Sequence, residues 1–217
     1  KEKSSLTDIQ NKVLENEIRD FKLSGCHLDN NKKKRLEEIS LRLSELSHKF
    51  SLNLLNATNE FEMIIDNFED VKEIPASDLE LAKFEEDGIT KYKFTLQAPS
   101  YSAYITYGTS REKREELYKG YCTRAPQNGK IIEELLALKN EKSKILGFNS
   151  YAQYSLATKM ASKEEDVITF LEELGEKAKV RAKEELNEIK ELAIKDGIID
   201  FRSSDMSYYS EKLKKAQ

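Results

Sequence analysis

The residues that most enzymes use to move protons or hold metals are scarce in this chain. It has two histidines, His27 and His48, far apart in sequence. A zinc-hydrolase helix sets two imidazoles one turn apart, so that both face one ion, with a glutamate beside the bound water. No such pair occurs. His48 falls between Leu46 and Phe50, off the apolar stripe of its segment, and reads as solvent-facing rather than as a ligand. His27 follows Cys26 in a turn-like stretch. A thiolate–imidazole pair or a metal site is conceivable there, but adjacent side chains point apart. Glutamates are doubled at 115–116, 133–134, 164–165 and 184–185, without the Glu-x-x-His partner that a carboxylate-bridged di-metal site takes from its helices. They read as solvated faces. Cys26 and Cys122 match no metal or redox spacing and read as free thiols of a reducing compartment. No catalytic and no metal-binding residue is assigned to any position.

Tyrosine is the one unusual supply. There are ten, and Tyr101, Tyr104, Tyr107, Tyr118 and Tyr121 crowd a short span. A tyrosine joins an apolar ring to a hydrogen-bonding tip, which suits the wall of a peptide channel and equally suits packing between amphipathic helices. Both readings stand. Tyr101, Tyr104 and Tyr107 are the candidates for substrate contact.

The elements that must position these residues are mostly helical. Leu36, Ile39, Leu43, Leu46, Phe50, Leu54 and Ala57 recur at steps of three and four, one stripe of a long helix. A first helix is predicted over Ser4 to Ser24, with Leu6, Ile9, Val13, Ile18 and Phe21 inward and Gly25 as its stop. Lys91 to Gln97 alternates strictly and reads as a strand. A lone strand leaves its backbone groups unpaired, so Glu60 to Asp66 is expected to leave the long helix and pair with it, in either direction. Between them, a capping box at Ser77–Glu80 opens a short helix stopped by Gly88. Further helices are predicted over 101–107, from Thr109 to about Arg124, over Ile131 to Leu146, from Asn149 or Ser150 to about Lys159, from Ser162 to about Asp196, and from Ser204 or Asp205 onward. The fold class is mainly α: long antiparallel helices in an array, with one small two-stranded β element, 60–66 with 91–97.

Charged residues make up 35% of the chain and hydrophobic ones 38%, which fits helices with one wet face each. Basic and acidic residues nearly balance, giving a formal charge of −4 and no sustained basic face, which sets nucleic acid aside. Lys32 to Arg35 is the one basic run, a solvated cluster at a helix start. No apolar run approaches the ~18 residues of a membrane span, and no signal peptide opens the chain, so no membrane partner is expected. Lys1 stands where an initiator methionine is usual, and the last residues are helical without a stop, which suggests a piece of a longer protein.

An ordered set of short motifs resembles the oligopeptidase A and thimet oligopeptidase family of zinc peptidases, peptidase family M3, with the bacterial oligopeptidase A branch nearest. The set begins with Phe21 to Gly25, Leu43 to Ser47 and Asn56 to Thr58. It continues with Pro99 to Tyr101, Thr106-Tyr107, Arg111, Arg114-Glu115, Tyr118 and Tyr121 to Ala125. It closes with Ile132 to Leu138, Lys144 to Phe148, Ser155 to Ala161, and Asp205 with Tyr208 to Lys212. Two departures stand out. The tryptophan usual before the last motif's aspartate is replaced by Ser204, and the segment Arg124 to Ile131 is short. The family's His-Glu-x-x-His helix is absent, so none of its catalytic or zinc-binding residues transfers to this chain.

The resemblance implies a helical wall around a deep, narrow channel that admits short peptides. Residues 1–217 are then expected to be the non-catalytic N-terminal region of a cytoplasmic zinc metallo-oligopeptidase, with a possible subdivision at 98/99. The chain itself is expected to bind no cofactor, the zinc residing in the intact enzyme, and to pack against its own downstream catalytic domain. The alternative function is a stand-alone helical protein-interaction module.

Overall fold

A computed structural model describes residues 6–216. The expected start of the first helix at Ser4 lies outside the described residues. Among the described residues there are nine α-helices and three strands. The order is α1 (Asp8–Leu23), α2 (Asn30–Glu60), β1 (Glu62–Ile65), α3 (Ala76–Ala82), β2 (Lys83–Glu86), β3 (Ile89–Thr95), α4 (Ala98–Tyr107), α5 (Arg111–Cys122), α6 (Asn128–Ile145), α7 (Tyr151–Leu156), α8 (Glu164–Lys195) and α9 (Met206–Ala216). Short 3-10 turns occupy Phe68–Asp70 and Ser203–Asp205. The chain is mainly helical, as its periodicity predicts. None of the helices is long and apolar enough to cross a membrane.

The described chain forms two units. One holds the residues up to Phe50 together with Asn128–Leu171, and the other holds Ser51–Gln127 together with the residues from Glu172 on. Within the first unit, the stripe of α2 is buried at Leu36, Ile39 and Leu46. α6 runs antiparallel to it and contributes Ile131. Arg35 meets Glu141 while Arg42 meets Glu134, so numbers rise along one helix as they fall along the other. The turn before α2 needs Gly25, whose φ is +81° and whose added Cβ would lie 2.6 Å from a Leu36 methyl. Asp29 then caps α2 by accepting from the Lys32 amide at 3.0 Å.

α1 corrects an expectation. Thr7 and Gln10 cap it reciprocally, yet no residue of the helix is buried. Ile9, Val13, Ile18 and Phe21, expected to face inward, are 78, 55, 41 and 63% exposed. The 3.6-residue period makes one face apolar; it does not supply a partner for that face.

The second unit is built on a small antiparallel sheet in the order β1-β3-β2. The expected pairing of 60–66 with 91–97 is present, with Met63 opposite Phe94 and Ile65 opposite Tyr92, and all four side chains are buried. The sheet has three strands rather than two. Lys83–Glu86, expected to belong to a helix running to Gly88, is instead β2, paired with β3 from Lys83↔Tyr92 to Glu86↔Ile89. The reason is local: Asp87 (φ +53°) and Gly88 (φ +75°) form a two-residue turn with both φ values positive, whose twist matches a hairpin. The expected capping box at Ser77 is also not made. α3 begins at Ala76 after Pro75, which makes no side-chain cap. α4 packs Ala103, Tyr104 and Ile105 into the core beside the sheet, and Leu117 of α5 completes it.

Candidate functional site

The three candidate tyrosines occupy different settings. Tyr104 has no exposed surface, and its ring lies 4.7 Å from that of Phe94 in a tilted contact. Its hydroxyl has no hydrogen-bond partner among the described residues, and burial pushes its pKa above the usual phenol range. Tyr101 is half-buried and stacks on Tyr121 at 4.2 Å, while the Arg124 guanidinium lies 3.6 Å from the Tyr121 ring centroid. Burial, and then the charge of the nearby Cys122 thiolate, push Tyr101 up to about 12, so it is a neutral phenol at any working pH. Tyr107 donates to Glu211 at 3.3 Å, and the Lys215 ammonium lies 4.7 Å from its ring centroid. The structure therefore does not gather the three into one hydroxyl-lined surface.

The other chemistry-bearing residues are dispersed. His27 and His48 are both exposed. Cys26 and Cys122 are free and exposed. The doubled glutamates serve surface ion pairs: Glu115 with Lys119, Glu116 with Lys113, Glu134 with Arg42, and Glu184 and Glu185 with Arg181. Among the described residues no three His, Cys, Asp or Glu side chains are placed to hold a metal ion.

The densest polar assembly was not legible as such in the sequence. Asp205 has no exposed surface, yet it is charged. Arg111 donates to it through Nε at 3.0 Å and Nη2 at 2.8 Å, Arg114 through Nη2 at 3.3 Å, and the Arg202 backbone amide at 3.0 Å. Burial alone would raise the Asp205 pKa, but the hydrogen bonds from Arg111 and the Arg202 amide, with the arginine charges, hold it below the usual carboxylate range. Arg111 also binds Asp200 at 2.8 Å, and Arg202 binds both Asp200 and Glu115. Three arginines thus meet three carboxylates, and the cluster is electrically closed.

Arg114 is itself nearly enclosed, at 2% exposure. It donates to the Gly108 and Thr109 carbonyls at 2.8 and 3.1 Å, and Tyr208 covers its other face at 4.1 Å. Each arm is placed by its element. Ser110 caps α5, which sets Arg111 and Arg114 one turn apart on one side, and the 3-10 turn at Ser203–Asp205 delivers the carboxylate before α9 begins. A buried carboxylate between two guanidiniums is acidic and inert as a base. Its work is to fix α5 against the segment leading into α9.

The span that contains this cluster also carries the family signature. The pattern of peptidase family M3 matches residues 104–217, just over half of the chain. The chain belongs to peptidase family M3. All six charged residues of the cluster, with Tyr208, fall inside the matched span. Oligopeptidase A of Haemophilus influenzae is 42% identical over 217 residues, covering 94% of this chain and 32% of that protein. Oligopeptidase A of Escherichia coli K12 is 37% identical over 223 residues, covering 97% of this chain and 33% of that protein. Saccharolysin of Saccharomyces cerevisiae is 27% identical over 199 residues, covering 91% and 28%. The chain spans about a third of the length of these M3 relatives.

Proposed function

We propose that this chain is a non-catalytic portion, N-terminal to the metal-binding motif, of a cytoplasmic zinc metallo-oligopeptidase that hydrolyses short peptides. The reading rests on one observation above the others. The M3 pattern and relatives named as oligopeptidases run through nearly the whole chain, yet account for only a third of each relative. The described residues offer no ligand set for zinc, so no bond-breaking step is assigned to them.

The chain's part in the reaction is then mechanical. It forms one wall of the channel that receives the peptide, packs against the downstream catalytic domain, and keeps folded proteins from the metal. A wall does this only if it does not yield. The closed cluster around Asp205 and the packed sheet of the second unit suit that demand, since both are buried and satisfied by partners distant in sequence. Of the three tyrosines, Tyr101 and Tyr107 keep exposed surface that a passing peptide can meet, and Tyr104 supports them from behind.

The test uses the 217-residue chain and the full product of its gene side by side. Zinc is measured by atomic emission, and cleavage with a short quenched fluorescent peptide and with a folded protein. The full product should carry zinc and cut only the peptide, and the 217-residue chain should do neither. Hydrolysis by the short chain with an ion of its own, or a full product without peptidase activity, overturns the reading.

A further inference from the structure

Helix α1 has a strong two-sided character that the described chain does not use. Ile9, Val13, Ile18 and Phe21 all stand in the open, and the helix buries no residue. Scattered surface leucines are ordinary, but four large apolar side chains on 16 residues form a continuous uncovered face. We propose that this face is a docking surface, and that its occupant is another segment of the same longer polypeptide. The proposal rests on the reading of the chain as part of a larger peptidase.

Two observations select that occupant over a second copy of the chain. First, the Escherichia coli relative aligns over 97% of this chain, so α1 falls essentially within the aligned part of a protein about three times as long. The polypeptide needed to cover α1 is therefore available in the relatives. Second, the face is too small to hold a dimer. A helix of 16 residues is about 24 Å long and 10 Å wide, a footprint on the order of 240 Å². Stable association between separate chains buries about 800 Å² on each partner. A tethered segment needs far less area, because the linker keeps it at high effective concentration.

The experiment is cysteine protection. In a background with Cys26 and Cys122 replaced by serine, Val13→Cys, Phe21→Cys and Glu15→Cys are made separately. Glu15 lies on the polar side of the same helix and is the internal control. Maleimide labelling is followed in the 217-residue chain and in the full gene product. In the short chain all three positions should label at similar rates. In the full product Val13→Cys and Phe21→Cys should label at least about ten-fold more slowly than Glu15→Cys, as expected for a face that opens only by local unfolding. Equal rates at the three positions of the full product overturn the proposal. So does protection in the short chain that disappears on dilution, which would mean a second copy. Peptide hydrolysis is assayed on the same preparations. An active full product with an unprotected α1 removes this proposal and leaves the functional reading; a protected α1 in an inactive product does the reverse.

Discussion

Arg42 closes a two-pronged pair with Glu134, Nε to Oε1 at 2.6 Å and Nη2 to Oε2 at 3.0 Å. Arg35 and Glu141 repeat the same geometry seven residues earlier on α2 and seven residues later on α6. Two such forks, one heptad apart on antiparallel helices, admit one register and penalise a slip of a turn in either direction.

Because both forks are largely exposed, their effect on register should exceed their effect on stability. Arg42→Glu alone should lower the midpoint of urea unfolding slightly, and Arg42→Glu with Glu134→Arg should recover it. At about 1 M salt, where screening acts within about 3 Å, the difference between the variants should vanish. A double variant that stays as weak as the single one would mean that the pairs do not set the register.

Asp205 should behave in the opposite way. Asp205→Ala leaves Arg111 and Arg114 without their shared counter-charge, one of them almost fully enclosed. A broken buried pair costs about 3–5 kcal/mol, readable in urea unfolding. The pH dependence has a definite sign. The folded pKa lies below the unfolded aspartate value of about 3.9. The stabilisation is thus complete above that value and is lost as pH falls through the lower, folded pKa. Asp205→Asn should remove that acid-limb component while leaving the alkaline limb unchanged.

Gly88 should be the sensitive residue of the hairpin. A Cβ there meets nothing, so the only cost is backbone: φ is +75°. Gly88→Ala should lose about 1–2 kcal/mol in thermal unfolding, with strand content by circular dichroism retained. Gly129, where a Cβ also meets nothing and φ is not positive, should accept alanine without loss.

Tyr104 separates packing from substrate contact. Its hydroxyl is buried without a partner, so Tyr104→Phe should be neutral or mildly stabilising. Tyr104→Ala opens a cavity beside Phe94 and should cost about 3–5 kcal/mol. In the full peptidase Tyr104→Phe should leave KM and kcat for a short peptide unchanged. A raised KM with normal stability would make Tyr104 a substrate-contacting residue.

Much of the helical frame was legible because burial imposes a period. The stripe from Leu36 to Leu46 is where the sequence predicts it, and β3 shows the alternation that its half-buried face requires. β2 escaped notice because Lys83-Phe84-Glu85-Glu86 lies at a sheet edge, where charge is tolerated and no apolar alternation is enforced. Its real signal was the Asp87-Gly88 pair, which reads as a helix stop only if a helix is already assumed. α1 failed for a different reason: periodicity reports which face is apolar, not what covers it. The Asp205 cluster failed because its partners sit 91 and 94 positions apart, and no local pattern encodes a pairing at that range. Arg111 and Arg114, one turn apart, were the only hint of it.

The alternation of the chain between its two units constrains how the molecule is made. The path changes unit after Phe50, after Gln127 and after Leu171, and the first and last of these changes fall inside the unbroken helices α2 and α8. A growing chain must therefore hold the first half of α2 without α6 while Ser51–Gln127 is synthesised, a delay of roughly 4–15 s at the usual ribosomal pace. Neither unit can be finished before the other is begun, so no cut in the gene releases one of them whole.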